Sequence, residues 1–291
     1  MNYSEECFCL NNEGEYIRGV IHKNSNKKLL IYCPGLAGDR VDCHRIPVEF
    51  GRLVASNGWD LIRFEYRGVG ISDGNTITHG FNDIISDIEM IIKEYSCQYE
   101  SIGLIGISQA CIQTFYISSI SSKLDTLLLW SPVFDKDNRF VISDPNKTDK
   151  ETIPKDSIGT KVWDNNNEEL FKGKMNKKEN SIVRISRKFR RERKTRLFGY
   201  PNTGMWISSK YYEERKQIIK ECIRYTNYIS IRIGLFKGEF DDSVSEDAIT
   251  SLIAEKVGMV VIPEGDHLFS MDRCKRDLFD KSIEWLNRRE N

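Results

Sequence analysis

The sequence has no run of residues long and apolar enough to cross a membrane, and its first residues do not form an export leader. A membrane-spanning helix needs about 20 consecutive apolar residues, and no segment of the 291 residues approaches that length. Residues 1–10 carry Glu5 and Glu6 and lack the basic start and the apolar run of a secretory signal. We therefore expect a soluble protein that stays in the cytoplasm.

An excess of charge of either sign is also missing. The chain has 43 lysines and arginines and 43 aspartates and glutamates, so no overall field draws it to nucleic acid or to an anionic membrane. We predict neither a nucleic-acid partner nor a membrane span. Hydrophobic residues make up 40% of the chain, which is enough for a sizeable core.

Cysteines at the spacing of a metal site are missing as well. The eight cysteines are scattered, and in a long chain without an export leader such residues are usually free thiols. Cys7 and Cys9 come nearest to a pair. Alternation along a strand puts them on one face, and we interpret them as packing residues. The sequence thus predicts no metal and no cofactor.

The chain does contain short apolar runs that alternate with helical patterns, which is typical of a mostly parallel sheet covered by helices. Glycine, proline and polar clusters separate these runs. The predicted strands are 29–32, 60–66, 101–105, 126–130, 229–236 and 256–262, and the predicted helices are 45–56, 81–95, 109–120 and 276–289.

The sequence between these two groups of elements is polar and irregular. The strands that follow it have too little chain for a core of their own, so we predict one core domain, residues 1–134 and 228–291, with an inserted cap, residues 135–227. Within the cap, residues 172–196 hold twelve basic and two acidic side chains. Such a segment is usually a solvated face. The alternative is a site for an anionic carrier or coenzyme A.

A candidate nucleophile lies where the strand predicted at 101–105 meets the next helix. Residues 106–110, Gly-Ile-Ser-Gln-Ala, have Ser108 at their centre. A serine hydroxyl needs a general base within reach, and backbone N–H groups must receive the negative charge of a tetrahedral intermediate. A sharp strand-to-helix turn with small flanking residues meets both needs. The motif therefore predicts Ser108 as a nucleophile.

An acid and a base follow Ser108 in the required chain order. Asp241 comes soon after the strand predicted at 229–236, and His267 comes soon after the one at 256–262. Sites in open α/β sheets form at the carboxyl ends of the strands. Separately, each residue has a plainer interpretation as a turn or surface residue. Together they predict a Ser108–His267–Asp241 triad, with Asp242 as the alternative acid.

Three segments near these residues resemble the α/β-hydrolase superfamily. They are residues 33–40, 43–45 and 63–74. The chain is most similar to the branch with serine aminopeptidase-like, cinnamoyl-esterase-like and exosortase-associated hydrolases. The resemblance covers about residues 28–132 and 229–267, which belong to the predicted core. It implies an α/β-hydrolase sheet covered by helices, with the cap as an insertion.

The resemblance also implies an oxyanion hole. In this superfamily one backbone N–H group comes from the residue after a His-Gly segment, which is Pro-Gly here, and that residue is Leu36. The other donor is the residue after the nucleophile, Gln109. Pro34 stands where the family often has His, and Ala110 where it often has Gly. Neither change removes a backbone donor.

Four further residues are candidates for substrate binding. His44 and Arg45 lie near the oxyanion segment, although a surface position at a helix N-terminus is the favoured interpretation. Trp206 and Tyr211 belong to the cap, where they would form an apolar wall over the site or pack inside the cap. His79 is assigned to the surface or to packing.

The expected function is the cleavage of an ester, thioester or amide of a small-molecule acyl substrate through an acyl-enzyme on Ser108. One alternative is an acyltransferase or thioesterase in a biosynthetic pathway, which would use the same triad. A second alternative, from another functional class, is a catalytically silent binding module with a hydrolase fold.

Overall fold

The computed structural model describes residues 3–36, 38–76, 78–134, 161–162, 197–200, 205–225, 229–244, 249 and 257–288. The basic segment 172–196 lies outside the described residues, as does most of the predicted cap. The proposed binding of an anionic carrier or coenzyme A at that segment therefore stays a prediction, and so does the division into core and cap.

The described strands and helices alternate through most of the chain. In chain order the strands are Ser4–Asn12 (β1), Glu15–Lys23 (β2), Lys28–Cys33 (β3), Asp60–Glu65 (β4), Ser101–Ile107 (β5), Thr126–Trp130 (β6), Lys161–Val162 (β7), Leu197–Tyr200 (β8), Met205–Ser208 (β9), Arg232–Gly238 (β10) and Met259–Ile262 (β11). The α-helices are Ile46–Ala55 (α1), Phe81–Tyr95 (α2), Ala110–Ile120 (α3), Ser209–Tyr225 (α4) and Asp272–Asn287 (α5).

Eight of the described strands form one sheet in the order β1-β2-β4-β3-β5-β6-β10-β11. Within this order, the neighbouring strands of the part β4-β3-β5-β6-β10-β11 all pair in parallel. Strand β2 pairs antiparallel with both β1 and β4. The prediction of a mostly parallel α/β sheet is confirmed. Because β5 lies in the middle, the turn that follows it opens at the centre of the sheet edge where ligands bind in such folds.

Helices cover both faces of this sheet, and the strand residues alternate between the two covers. Leu30 packs in a cluster with Phe50 of α1, whereas its neighbour Ile31 packs in a cluster with Phe115 of α3 and Tyr211 of α4. Successive strand residues point to opposite faces. The near-continuous apolar runs of the central strands are thus explained by burial on both sides.

Most predicted elements occur within a few residues of their predicted positions. The helix at 81–95 and the strand at 126–130 have the predicted bounds. Strand β5 continues two residues beyond the predicted end, to Ile107. This extension matters because it brings Ser108 directly to the end of a buried strand.

Helix α4 lies in the segment that was expected to be irregular. Its buried residues are Tyr211, Arg215, Ile218 and Cys222, which is the spacing of one helix face. Because an arginine falls within this face and Ile223, an apolar residue, is exposed outside it, the apolar period is hard to recognise in the sequence. The same predicted insertion contains a small antiparallel sheet of β7, β8 and β9.

The cysteines of the first strand do not pack as expected. Cys7 and Cys9 are both exposed, so their interpretation as packing residues is wrong. Strand β1 is an edge strand, and its other face carries Phe8 and Leu10 against the core. All eight cysteines are free thiols, and four of them are buried.

The described residues contain neither a membrane-spanning helix nor a metal cluster. None of the helices found there has the length and apolarity of a membrane span. No group of three or more histidine, cysteine, aspartate or glutamate side chains in the same residues is arranged to hold a metal ion.

Candidate active site

Ser108 occupies the sharp turn between β5 and α3. Its φ angle is 56°, a left-handed conformation that residues other than glycine rarely adopt. The turn is fixed by hydrogen bonds, because the Ser108 N–H donates to the carbonyl of Trp130 at 2.9 Å and the Ser108 carbonyl accepts from Cys111 at 3.2 Å. Strain of this kind persists only where the surrounding structure holds it. The turn therefore presents the hydroxyl at the carboxyl end of a central strand.

The small residues on either side of Ser108 allow this turn to close. A Cβ atom at Gly106 would lie 2.9 Å from the Cα of Cys111 and 3.0 Å from the carbonyl carbon of Ala110. Both distances are shorter than carbon atoms tolerate, so α3 would have to move away from β5. Ala110 itself is buried, which shows that a methyl group is accommodated on the helix side of the turn.

His267 contacts both Ser108 and Asp241. Its Nε2 lies 2.9 Å from the Oγ of Ser108, and its Nδ1 lies 2.8 Å from the Oδ2 of Asp241. An ionised carboxylate only accepts hydrogen bonds, so the contact with Asp241 assigns the imidazole proton to Nδ1. Nε2 is then left as an acceptor for the serine hydroxyl. This arrangement permits transfer of the hydroxyl proton to His267.

Asp241 is the acid that meets the histidine. It is 2% exposed, and its second carboxylate oxygen accepts the N–H of Ser243 at 3.0 Å. Asp242, the alternative acid, is exposed to solvent. A buried carboxylate needs hydrogen-bonded partners, and Asp241 has them on both oxygens.

The loops after β10 and β11 approach each other closely. A Cβ at Gly238 would lie 2.6 Å from the carbonyl oxygen of Asp266, so a larger residue would push the loops apart. The N–H of Phe240 donates to the carbonyl of Gly265 at 2.8 Å across the same junction. The backbone thus sets the separation of the acid loop from the histidine loop.

Asp266, which sequence reasoning did not select, shapes the turn that carries His267. Its Oδ1 accepts the N–H of Leu268 at 3.2 Å and that of Ser270 at 2.8 Å. Partial burial acts to raise its pKa, but these hydrogen bonds outweigh burial and the pKa lies below the ordinary aspartate value. Its pattern, an aspartate bonded to backbone N–H groups a few residues ahead, is a common turn signal.

The segment after β3 passes directly over the serine turn. A Cβ at Gly35 would lie 3.1 Å from the carbonyl oxygen of Ile107 and 3.3 Å from the Cβ of Ser108. Leu36 follows Gly35, and Gln109 follows the serine. Among the hydrogen bonds of the described residues, the backbone N–H groups of Leu36 and Gln109 have no acceptor. Their function as oxyanion donors stays a prediction.

Tyr211 connects α4 to this turn. Its hydroxyl donates to the side-chain Oε1 of Gln109 at 3.0 Å, and both residues are buried. Its ring packs edge-on against Phe81 with centroids 5.3 Å apart. Tyr211, which was predicted either to cover the site or to pack inside the cap, thus lies beside Gln109, the candidate oxyanion residue.

A cleft opens beside Leu36 and Tyr211. The space it encloses is about 490 Å³, including the part that is open to solvent. The side chains that line it are mostly apolar or aromatic, with a few polar groups. Its lining includes Leu36, Tyr66, Val69, Ile84, Gln113 and Tyr211.

Two polar lining residues, Gln113 and Arg67, are not among the predicted site residues. A third, His79, was assigned to the surface or to packing, yet it lines the cleft and bonds to Glu15 at 2.7 Å. The position of Gln113 one helical turn after Gln109 is a signal that could have identified it, since both lie on one side of α3.

The other predicted substrate residues lie elsewhere or are not described. His44 and Arg45 are exposed in a short 3₁₀ turn before α1, with φ angles of 55° and 59°. Neither lines the cleft. Trp206 lies in β9, where only the backbone is described. Their contacts with substrate stay predictions.

No family model and no curated protein matches this sequence. Several solved structures, however, are similar to the structure of this chain. An esterase of Pyrococcus furiosus aligns with a TM-score of 0.60 and 15% identity over 98% of this chain and 91% of its own. Est1E of Butyrivibrio proteoclasticus, solved with ferulic acid bound, aligns with a TM-score of 0.66 and 14% identity over 97% of this chain and 100% of its own. The α/β hydrolase GrgF of Penicillium sp. sh18 aligns with a TM-score of 0.67 and 13% identity over 98% of each chain. At this identity the likeness establishes the α/β-hydrolase fold.

Proposed function

We propose that this α/β-hydrolase-fold protein is a serine hydrolase that cleaves a carboxylic ester, thioester or amide. The observation that carries the proposal is the position of His267 between Ser108 and Asp241, with contacts of 2.9 Å and 2.8 Å. Three side chains from loops that are far apart in sequence meet with the residue types and distances of nucleophilic catalysis. The esterases among the structural neighbours support the same reaction class.

Acylation begins when the Oγ of Ser108 attacks the substrate carbonyl carbon. The hydroxyl proton passes to Nε2 of His267, and the carbonyl oxygen takes the negative charge. The backbone N–H groups of Leu36 and Gln109 donate to this oxygen, which is stabilisation that increases as charge develops. Asp241 orients the imidazole and stabilises its positive charge.

The acyl-enzyme forms when the bond to the leaving group breaks. The leaving alcohol, thiol or amine takes the proton from Nε2 of His267, and the acyl group stays on Ser108. Water then gives a proton to His267 and attacks the acyl carbon. Collapse of the second intermediate returns that proton to Ser108 and releases the carboxylic acid, so the enzyme is regenerated.

Replacing Ser108 with alanine tests this function. We expect Ser108→Ala to reduce the turnover of short-chain p-nitrophenyl esters by about 10³-fold or more, because the covalent route is lost and only binding and the oxyanion donors remain. Initial rates of p-nitrophenol release measure the effect. Ser122→Ala, at an exposed serine, is the matched control and should retain full activity. Equal activity of the two variants would overturn the proposal.

A further inference from the structure

Gln109, the residue after Ser108, has a buried side chain that Tyr211 holds in place. It lies at the N-terminus of α3, with helical φ and ψ angles of −64° and −26°, and it is 2% exposed. Its Oε1 accepts the hydroxyl of Tyr211 at 3.0 Å. Leaving a buried amide oxygen without a donor is unfavourable, so this hydrogen bond favours one orientation of the side chain. The backbone of Gln109 is held with it.

Tyr211 is itself held in place, because the first turns of α4 are tied to the N-terminus of α2. Lys210, the residue before Tyr211, pairs with Asp83 at 2.9 Å. The side chain of Glu214 accepts the backbone N–H of Asn82 at 3.0 Å. Tyr211 is 3% exposed. Its hydroxyl is therefore anchored to the body of the protein by contacts that do not involve Gln109.

The conformation of the serine turn makes such anchors necessary. Ser108 has a φ of 56°, and strain of this kind persists only where neighbouring groups hold it. Backbone hydrogen bonds with Trp130 and Cys111 hold Ser108 itself. The contact with Tyr211 acts on the next residue, Gln109, whose N–H is one of the two proposed oxyanion donors. Such a donor has to lie about 2.7–3.1 Å from the charged oxygen, so a small shift of Gln109 would weaken the stabilisation.

We infer that Tyr211 is a positioning residue for the oxyanion hole. Its hydroxyl, held by α4, fixes the side chain of Gln109 and with it the backbone N–H that receives the negative charge of the tetrahedral intermediate. This inference rests on the proposed hydrolase function, since it adds a residue to the same site. The charge on the substrate oxygen develops in the transition state, so loss of the positioning should lower kcat and leave KM nearly unchanged.

Tyr211→Phe, which removes the hydroxyl and keeps the ring, tests this role. Removing a whole oxyanion donor lowers kcat by about 10²- to 10³-fold, and displacing a donor should cost less. We therefore expect kcat for p-nitrophenyl butanoate to fall about tenfold, with KM within about twofold of the wild-type value. Tyr99→Phe is the matched control, because the Tyr99 hydroxyl donates to Asp60 at 2.9 Å and lies just before the amino end of β5. This control should keep the wild-type kcat.

A double-variant comparison shows whether Tyr211 acts through Gln109. Gln109→Met keeps the length of the side chain and the backbone N–H, and it removes the acceptor of the tyrosine hydroxyl. In this background Tyr211→Phe should change kcat by a factor of about one, because the contact that it removes is already gone. An equal loss of kcat in both backgrounds would overturn the inference, and so would an unchanged kcat of Tyr211→Phe alone.

Binding of a transition-state analogue separates failure of this inference from failure of the proposed function. Propyl trifluoromethyl ketone adds reversibly to a serine hydroxyl, and the adduct carries the charged oxygen of the tetrahedral intermediate. Its Kd, measured by fluorine NMR titration, should be about tenfold higher for Tyr211→Phe than for the wild type and Tyr99→Phe, even if no ester is turned over. An unchanged Kd of Tyr211→Phe would overturn the inference alone. Binding to Ser108→Ala as tight as to the wild type would overturn the proposed function, and the inference with it.

Discussion

In the proposed mechanism His267 acts as a base, and it can do so only in the tautomer that its neighbours impose. The carboxylate of Asp241 accepts from Nδ1 and leaves Nε2 free to accept from Ser108. An asparagine at 241 can offer its amide N–H to Nδ1, which would place the imidazole proton on Nε2. The histidine would then keep its geometry and lose its function as a base.

Asp241→Asn should accordingly lower kcat for p-nitrophenyl acetate by about 10³- to 10⁴-fold, with a much smaller change in KM. Asp242→Asn is the matched control, because Asp242 is the adjacent and exposed acid. Steady-state kinetics of the two variants give the comparison. The assignment of the acid would be wrong if Asp242→Asn lost more activity than Asp241→Asn.

His22 is a second histidine whose protonation is set by its surroundings. It is fully buried, and burial followed by the charge of Arg63 lowers its pKa to about 4. The Nε of Arg63 donates to Nε2 of His22 at 2.8 Å, a contact that requires a neutral imidazole. In the unfolded chain the pKa returns to about 6.5.

Between pH 6.5 and 4 the unfolded chain therefore binds a proton at His22 that the folded protein does not bind. Keeping His22 neutral therefore stabilises the folded protein at neutral pH. This stabilising contribution to the free energy of unfolding is fully present above pH 6.5 and declines as the pH falls, by at most about 3 kcal/mol. His22→Gln keeps an acceptor for Arg63 and does not titrate. Urea unfolding at pH 7.5 and 4.5 should show a smaller loss of stability for His22→Gln than for the wild type. An identical loss in both proteins would refute this role.

At the scale of elements, α1 and β2 meet through Gly51 and His22. A Cβ at Gly51 would lie 2.5 Å from the Cδ2 of His22, so the helix lies against the imidazole ring. Alanine usually stabilises a helix interior by about 0.5–1 kcal/mol relative to glycine. Here the added methyl group would force the helix off the sheet.

Gly51→Ala should thus lower the free energy of unfolding by roughly 1–2 kcal/mol, because overpacking exceeds the gain in helix propensity. Gly258→Ala is the control, since nothing lies within 4 Å of a Cβ at that position and no strained φ is involved. Chemical denaturation followed by circular dichroism measures both variants. A stabilised Gly51→Ala protein would contradict the packing described for α1.

Helix α4 shows where element prediction from sequence fails. Helix α2 was predicted with its bounds because six apolar residues between Ile84 and Tyr95 repeat with the helical period. In α4 the buried face includes Arg215, and one of its tertiary contacts is the hydrogen bond from Tyr211 to Gln109. A contact between residues about a hundred positions apart leaves no local pattern in the sequence.

At the scale of the whole molecule, the contacts of His267 with Ser108 and Asp241 could be predicted from the sequence, and the cleft could not. Ser108, Asp241 and His267 each follow a recognisable strand, and parallel strands bring their carboxyl ends to one edge. The cleft is assembled from Leu36, Arg67, His79 and residues of three helices, and their meeting depends on how α2, α3 and α4 pack on the sheet. Packing of helices on a sheet is fixed by many side chains at once, which a single sequence does not reveal.

The proposal that Ser108 is the nucleophile is tested most directly by locating the covalent adduct of a fluorophosphonate probe by peptide mass spectrometry. The phosphonyl group should be found on Ser108 alone, within the peptide that contains residues 106–110, and Ser108→Ala should remain unlabelled. The wild-type protein should also lose esterase activity in proportion to the extent of labelling. Labelling of Ser108→Ala, or an adduct at another serine with full loss of activity, would contradict the assignment of Ser108 as the nucleophile.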